Sequence, residues 1–238
     1  MPKKSSNDGL INFYETMPKS FIKKYHNPHY EDHMIQVPCR IGIFSGSGGG
    51  KTLTILNIIK KMSSTFNKIV ICTKNSDEPL YNYLQSKLKM GDEIEVFENG
   101  EIPPMDDYTN AGQVLMIFDD LVNTKSAQPA IQEYFIRARK IGGGISLIYS
   151  SQSYFGVPKN IRLQMNYIIL KRLNSLRDLS IILSDHQLGM DKKKFYKLYN
   201  ECVKDSKTNF FMIRCEEGDV NDKFTKNFTG RLDVECCR

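Results

Sequence analysis

The chain has 238 residues, a length that predicts one domain with an additional segment. Apolar residues make up 40% of the sequence and charged residues 25%, which excludes disordered, collagen-like and disulfide-scaffold proteins. Lysine and arginine number 33 against 27 aspartate and glutamate residues, and the resulting formal charge of +6 permits a polyanionic partner such as nucleic acid without requiring one.

The amino terminus is polar and has no apolar stretch of the kind that a signal peptide needs, so none is expected. The longest apolar runs, such as Val114–Phe118, fall far short of the ~20 residues of a membrane span. Cys39 and Cys72 lie in apolar, strand-like runs, where buried and reduced thiols are expected. The other cysteines are Cys202, Cys215, Cys236 and Cys237, and no pair has CxxC spacing. The sequence therefore indicates an intracellular, reduced and soluble protein.

From residue 38 onward, short apolar runs alternate with helical segments. Runs rich in valine and isoleucine predict the strands of a sheet covered on both faces, and the alternation of strand and helix predicts that most strands are parallel. Functional loops are then expected after the carboxyl ends of the strands. The predicted strands are Cys39–Phe44, Lys68–Thr73, Glu93–Phe97, Val114–Phe118, Ile145–Ser150 and Tyr167–Lys171. The predicted helices between them are Thr52–Met62, Leu80–Lys89, Ala127–Lys140 and Lys159–Met165.

We divide the chain into an amino-terminal segment of residues 1–36, a core of residues 37–185 and a carboxyl-terminal extension of residues 186–238. The first segment is polar and aromatic, with helix-like spacing around Ile11–Ile22. Beyond Tyr167–Lys171, the sequence predicts helices over Leu176–Ser184 and Asp191–Lys204, a strand over Asn209–Arg214 and a polar tail.

Three histidines, His26, His29 and His33, stand close together before the first strand. They are candidate metal ligands, but Pro28 interrupts helical spacing and no fourth ligand stands at a typical distance. We favour ordinary structural roles for them.

A glycine-rich loop joins the first predicted strand to the following helix. Its glycines allow backbone N–H groups to curl around a phosphate, and the helix directs its partial positive charge at the same point. The lysine of such a loop supplies a full charge to the β and γ oxygens of ATP, and the threonine hydroxyl ligates Mg²⁺. The residues that we expect to bind the nucleotide are Gly46, Ser47, Gly48, Gly49, Gly50, Lys51 and Thr52. The pattern G-x-x-x-x-G-K-[ST] has glycine where this chain has Ser45, but the cradle from Ser47 to Thr52 is unaffected, so a P-loop is predicted.

The buried strand Val114–Phe118 is followed by two carboxylates, Asp119 and Asp120. Burying either one unpaired costs several kcal/mol, and a nearby Mg²⁺ removes that cost. We expect Asp119 to hold the ion, directly or through water, and Asp120 to orient or deprotonate the attacking water. The next strand leads into Gln152, whose amide is expected beside the γ-phosphate or the water. Solvated turns are the alternative interpretation of both strand ends.

The helix predicted over Ala127–Lys140 has an apolar stripe with arginines beside it. At ~100° per residue, Arg137 and Arg139 project off the stripe. Either side chain could reach the phosphate of a neighbouring subunit as an arginine finger, and a solvated helix end is the alternative. We take Arg139 as the candidate and keep Arg137 and Arg162 as alternatives. The stripe itself consists of Ile131, Tyr134, Phe135 and Ala138.

The order of these motifs, completed by Val157–Arg162 and Asn166–Lys171, resembles the genome-packaging ATPases of large double-stranded DNA viruses and virophages, in the FtsK–HerA group of P-loop motors. The similarity covers about residues 26–185, and the small size and Lys/Asn/Ile-rich composition of the chain resemble those of a virophage member. The resemblance implies an α/β, RecA-like P-loop NTPase with a mostly parallel sheet and helices on both faces.

The resemblance further implies a homo-oligomeric ring that hydrolyses ATP with Mg²⁺ and translocates double-stranded DNA into a capsid. A viral capsid protein at a portal or vertex is the implied partner, and the virus factory in the host cytoplasm, with the virion as a second location, is the implied site of action. The residues to which it assigns roles are Lys51, Thr52, Asp119, Asp120 and Gln152. The family commonly has glutamate at the position of Asp120.

Two basic clusters are candidates for contact with a DNA backbone, with solvated surfaces as the alternative. One consists of Lys192, Lys193, Lys194 and Lys197. The other consists of Lys171, Arg172 and Arg177.

A second hypothesis is a P-loop phosphotransferase acting on a small nucleotide. That class needs a mobile, arginine-rich lid, and residues 158–171 leave little room for one; a strand that ends at a glutamine sensor is also foreign to it. A GTPase-type switch needs an Asn-Lys-x-Asp element on a late strand, and the sequence has none.

Overall fold

The computed structural model describes residues 11–232, so Cys236 and Cys237 lie outside the described range. Nine strands form one sheet. They are β1 (Arg40–Phe44), β2 (Lys68–Thr73), β3 (Ile94–Phe97), β4 (Val114–Asp119), β5 (Ile145–Ser151), β6 (Tyr167–Leu170), β7 (Phe211–Arg214), β8 (Phe224–Lys226) and β9 (Gly230–Arg231).

The strand order is β3-β2-β4-β5-β1-β6-β7-β8-β9. Strands β3 through β6 in this order are parallel, and β7, β8 and β9 continue the sheet as antiparallel neighbours. The carboxyl ends of β1, β4 and β5 therefore meet at one edge, where β5 lies between the other two. The carboxyl-terminal extension adds its strands to the sheet of the core.

Helices cover both faces of this sheet, as predicted. In β4, for example, Leu115 and Ile117 join a cluster that includes Ile55 and Ile58, whereas Met116 and Phe118 join the cluster on the other face. Because alternate side chains point to opposite faces, a strand buried on both sides is apolar throughout. The helices are α1 (Phe13–Thr16), α2 (Tyr30–His33), α3 (Lys51–Lys61), α4 (Pro79–Gln85), α5 (Gln128–Arg137), α6 (Lys159–Arg162), α7 (Leu176–Asp185), α8 (Lys192–Val203) and α9 (Val220–Lys223).

Several predicted boundaries differ from the structure. Helix α4 ends at Gln85 instead of Lys89, and α6 is a single turn because the chain must reach β6 at Tyr167. Helix α5 tightens after Arg137 into a 3₁₀ turn, Ala138–Lys140. The segment predicted as a polar tail contains β8 and β9, two short strands formed by pairing at the sheet edge.

The amino-terminal histidines are not assembled into a metal site. His33 is buried, its Nδ1 accepts from the Ile35 N–H at 3.0 Å, and burial lowers its pKa to about 4. Within residues 11–232, no group of three or more histidine, cysteine, aspartate or glutamate side chains is arranged to hold a metal ion.

The predicted buried thiols are present. Cys39 and Cys72 are free and fully buried, and burial raises the pKa of Cys39 to about 12. In the described part of the chain, every helix is too short or too polar to cross a lipid bilayer.

Candidate nucleotide-binding site

The glycine-rich loop turns the chain from β1 into α3. Gly48 and Gly50 have φ values of 64° and 85°, in the left-handed region that glycine enters without steric cost. Gly50 immediately precedes the first residue of α3, so the amino terminus of the helix opens onto the loop. This is the strand–loop–helix arrangement that the P-loop pattern predicts.

Ser45 replaces the first glycine of the pattern and is accommodated below the loop. Its side chain is buried, and its hydroxyl donates to the Gly46 carbonyl at 3.1 Å. A Cβ at Gly49 would overlap the Ser45 hydroxyl oxygen. The serine therefore uses the space that glycine at position 49 leaves free.

Three of the five predicted catalytic residues line one cleft of about 310 Å³ beside the loop. It brings Lys51 and Thr52, at the start of α3, together with Asp119 and Asp120, at the end of β4. Glu78, which precedes α4, also lines the cleft and was not predicted. A polyphosphate with a divalent cation is complementary to this mixture of lysine, hydroxyl and carboxylate groups.

Asp119 is held by two neutral donors from neighbouring elements. Its side chain is 9% exposed, and the Tyr81 hydroxyl donates to Oδ2 at 2.7 Å. The hydroxyl of Ser150, its direct partner on β5, donates to Oδ1. These two hydrogen bonds offset part of the cost of burying the Asp119 charge, a cost that the sequence analysis expected Mg²⁺ alone to remove. Burial, followed by the Asp119 charge, raises the pKa of Tyr81 well above its usual value, so this hydroxyl remains a donor.

Asp120 and Gln152 meet, as the sequence predicted. Gln152 Nε2 donates to Asp120 Oδ2 at 3.2 Å, and the Asp120 N–H donates to the Ser150 carbonyl at 3.0 Å. Asp120 has a φ of 56°, a left-handed conformation that aspartate tolerates better than most residues. The Gln152 amide is therefore bonded to a carboxylate that lines the cleft.

Helix α7 anchors the turn that carries Gln152. The buried Asp178 carboxylate accepts from the Ser153 hydroxyl at 3.0 Å and from the Phe155 N–H at 2.9 Å. The Arg177 guanidinium lies over the Phe155 ring, 3.7 Å from its centroid. The position of the amide thus depends on a helix far along the chain.

The prediction that Lys171 contacts a DNA backbone is wrong. Lys171 is only 1% exposed, and its Nζ donates to Thr54 Oγ1 at 3.1 Å inside the fold. Its neighbour Arg172 accepts from the Gly46 N–H at 3.1 Å through its carbonyl, and its guanidinium donates to the Val203 carbonyl at 3.0 Å. Lys171 therefore supports the P-loop from inside the fold, whereas Arg172 holds the loop through its backbone carbonyl and keeps an exposed side chain.

A second cavity, of about 180 Å³, lies on the β6 side of the same loop. The carboxyl-terminal extension contributes part of its wall. Besides the loop residues Gly46, Ser47, Gly48 and Gly49, the lining residues are Lys171, Arg172, Asn174, Ser206, Lys207 and Asn209.

The candidate finger Arg139 lies at the opposite edge of the sheet from the P-loop. It is exposed and lines a cavity with Arg40, the first residue of β1, whereas the P-loop follows the last. At ~3.3 Å per residue, the five residues of β1 separate the two edges by roughly 16 Å. Arg139 therefore lies too far from the P-loop of its own chain to contact phosphates bound there.

The two alternative arginines are already engaged. Arg137 pairs with Glu133 one helical turn away. Arg162 is buried, with its Nε 3.1 Å from Asp185 Oδ2 and its guanidinium 5.0 Å from the Tyr154 ring centroid. Arg162 therefore belongs to the core of the fold.

Sequence reasoning missed Tyr81, Ser150 and the buried role of Lys171. A serine on the strand beside the acidic one is a usable signal for Ser150, because the parallel register places it opposite Asp119. No local signal identifies Tyr81, which comes from a different helix.

Fold and site together define a P-loop NTPase. The chain belongs to the Poxvirus A32 protein family, whose model matches residues 27–216. The resemblance to viral genome-packaging ATPases of the FtsK–HerA group is thereby confirmed.

Solved structures share this fold. The genome packaging NTPase B204 from Sulfolobus turreted icosahedral virus 2, in complex with ATP-gammaS, superposes with a TM-score of 0.56 at 16% identity, covering 83% of this chain and 100% of B204. Its sulfate complex gives a TM-score of 0.54 at the same identity and coverage. ATPases 2 and 3 of EssC from Geobacillus thermodenitrificans give 0.52 at 13% identity, covering 84% of this chain and 42% of EssC. Comparison with curated protein sequences finds no significant match.

Proposed function

We propose that this chain is an ATP-hydrolysing motor that translocates double-stranded DNA and packages a viral genome into its capsid. The observation that carries the proposal is the cleft in which Lys51 and Thr52 meet Asp119 and Asp120, with Gln152 bonded to Asp120. Membership of the A32 family supports it, as does the similarity to B204, a genome packaging NTPase solved with ATP-gammaS.

The phosphates of ATP would lie in the cradle of the P-loop, with Lys51 neutralising the β and γ oxygens. Thr52 and Asp119 line the same cleft and fit a magnesium ion, which when bound adds charge neutralisation at those oxygens. Asp120 accepts a proton from the attacking water or orients it. The Gln152 amide fixes the direction of that carboxylate.

The nucleoside would occupy the cavity on the β6 side. That cavity shares Gly48 and Gly49 with the cleft that holds Lys51 and Thr52, so one ligand would reach both. Ser206 and Asn209 offer hydroxyl and amide groups to a sugar and base. In this way the carboxyl-terminal extension takes part in nucleotide binding.

The active assembly is a homo-oligomeric ring, in which Arg139 of one subunit approaches the phosphates bound by the next. The support is the placement of this exposed arginine at the sheet edge opposite its own P-loop. The ring docks on a capsid protein and works at the virus factory of a virophage or related large DNA virus.

DNA would bind along α8. A groove of about 1030 Å³ between α7 and α8 collects four cations and one carboxylate, with Tyr196 available for stacking. The excess of positive charge is complementary to a phosphate backbone. The cations are Arg172, Lys193, Lys197 and Lys204, and the carboxylate is Glu201.

Purified protein is expected to hydrolyse ATP, and duplex DNA is expected to raise the steady-state rate. The measurement is phosphate release with Mg²⁺ as a function of DNA concentration, with nucleoside monophosphates supplied in parallel as acceptors. If DNA does not change the rate and the γ-phosphate is transferred to a monophosphate, the protein is a phosphotransferase and the proposed motor function is wrong.

A pair of double variants locates the DNA surface in the same assay. Lys193→Ala with Lys197→Ala should raise the DNA concentration for half-maximal stimulation several-fold and reduce its salt dependence, because two phosphate contacts are lost. Lys60→Ala with Lys61→Ala makes the same charge change at the exposed end of α3 and should leave both quantities unchanged. If the two double variants change the half-maximal DNA concentration and its salt dependence equally, DNA does not bind along α8.

A further inference from the structure

The end of β6 places a buried lysine directly against the P-loop. Lys171 Nζ donates to Thr54 Oγ1 at 3.1 Å, and the Thr54 hydroxyl donates to the Gly50 carbonyl at 3.1 Å. A Cβ on Gly50 would lie 3.4 Å from the Lys171 ammonium nitrogen. The ammonium thus sits behind the turn at which the phosphate cradle becomes α3.

This ammonium has no anionic partner among residues 11–232, since none of the ion pairs there includes Lys171. Thr54 is neutral. The charged side chains that line the β6-side cavity with Lys171 are Arg172 and Lys207, both positive. A buried cation without an anionic partner is unfavourable, and the cost falls when an anion arrives.

We propose that Lys171 is a positioning residue of the nucleotide site, whose ammonium is the buried counter-charge to the phosphates held by the P-loop. Lys171 acts through Thr54 and Gly50 on the shape of the cradle, and through its charge, which burial leaves poorly screened. The inference rests on nucleotide binding by the P-loop, as proposed above.

Burial lowers the pKa of Lys171 to about 8, so the ammonium is partly deprotonated in mildly alkaline solution before a nucleotide binds. Bound phosphates stabilise the charged form and raise this pKa. The bound state then holds more protons than the free state, so affinity falls as pH rises. The dissociation constant should be flat below about pH 7 and should increase about tenfold per pH unit above pH 8.

Calorimetric titration with ATP-gammaS and Mg²⁺ at pH 6.5 and 8.5, in two buffers of different ionisation enthalpy, measures the protons taken up. Wild-type protein should take up roughly half a proton or more at pH 8.5 and close to none at pH 6.5. Lys171→Met should bind more weakly with no uptake at either pH. Lys171→Arg, which stays charged throughout, should bind without uptake and without the loss of affinity at high pH.

Lys60→Met, the same substitution at an exposed position of α3, is the matched control and should keep the wild-type uptake. Thermal melting shows which variants fold. If Lys171→Met does not fold, the titrations of the wild-type protein and Lys171→Arg alone test the role of Lys171. Proton uptake that persists in Lys171→Arg, or binding by the wild-type protein without proton uptake at pH 8.5, overturns the proposed role of Lys171. Either result leaves the proposed nucleotide site standing. Failure of the wild-type protein to bind at pH 6.5 contradicts the proposed nucleotide site itself.

Discussion

Replacing Lys51 with alanine is expected to abolish ATP turnover, with kcat at least ~100-fold lower, because the charge that stabilises the transferring phosphoryl group is lost. Lys51 is the first residue of α3 and lines the cleft with both aspartates. Phosphate release with saturating DNA measures the effect. Nucleotide binding, followed by fluorescence of a labelled analogue, should weaken as well.

Lys60→Ala is the matched control for this variant, since it removes an exposed lysine from the other end of the same helix. It should retain the wild-type rate. Turnover by Lys51→Ala above about a tenth of the wild-type rate would mean that the glycine-rich loop is not the site of hydrolysis.

Asp119→Asn is expected to have the second-largest effect, a loss of roughly 100-fold in kcat with nucleotide binding retained. The amide nearly preserves size but removes the negative charge that Mg²⁺ requires. It also turns an NH₂ group toward one of two donors, the Tyr81 or the Ser150 hydroxyl. Rates measured across a Mg²⁺ titration should show that the variant is not rescued at high Mg²⁺.

Tyr81→Phe separates the charge of Asp119 from its position. It leaves the carboxylate but removes the 2.7 Å hydrogen bond, so kcat should fall by only about tenfold, the scale of one hydrogen bond to a charged group. Equal losses in Tyr81→Phe and Asp119→Asn would instead indicate that Asp119 is needed for the local fold.

The part of the site predictable from sequence is the part built by neighbours in the chain or by strand order. The P-loop follows β1 without interruption, so strand, glycines and helix appear in one run of the sequence. The Asp120–Gln152 contact was predictable because both residues follow strands that a parallel sheet brings together at one edge. In each case, the arrangement of the site residues follows from a local sequence pattern and from the parallel order of the strands.

The remaining features depend on tertiary contacts that no local pattern encodes. Tyr81 reaches Asp119 from α4, and nothing in the sequence around either residue indicates the other. From the sequence, Lys171 is expected to be an exposed charge at a strand end. In the structure, it is buried between α3 and α8. Strands β8 and β9 are three and two residues of mixed polarity, and only their position at the sheet edge makes them strands.

The most direct test of the motor is ATP-dependent displacement of a third strand from duplex DNA, at sites placed at increasing distances from one end. A translocating ring predicts displacement that requires hydrolysable ATP and begins after a delay proportional to distance. It should be absent with Lys51→Ala and present with Lys60→Ala. DNA-stimulated ATP hydrolysis without displacement at any distance would contradict translocation, and with it the central claim that this chain moves DNA.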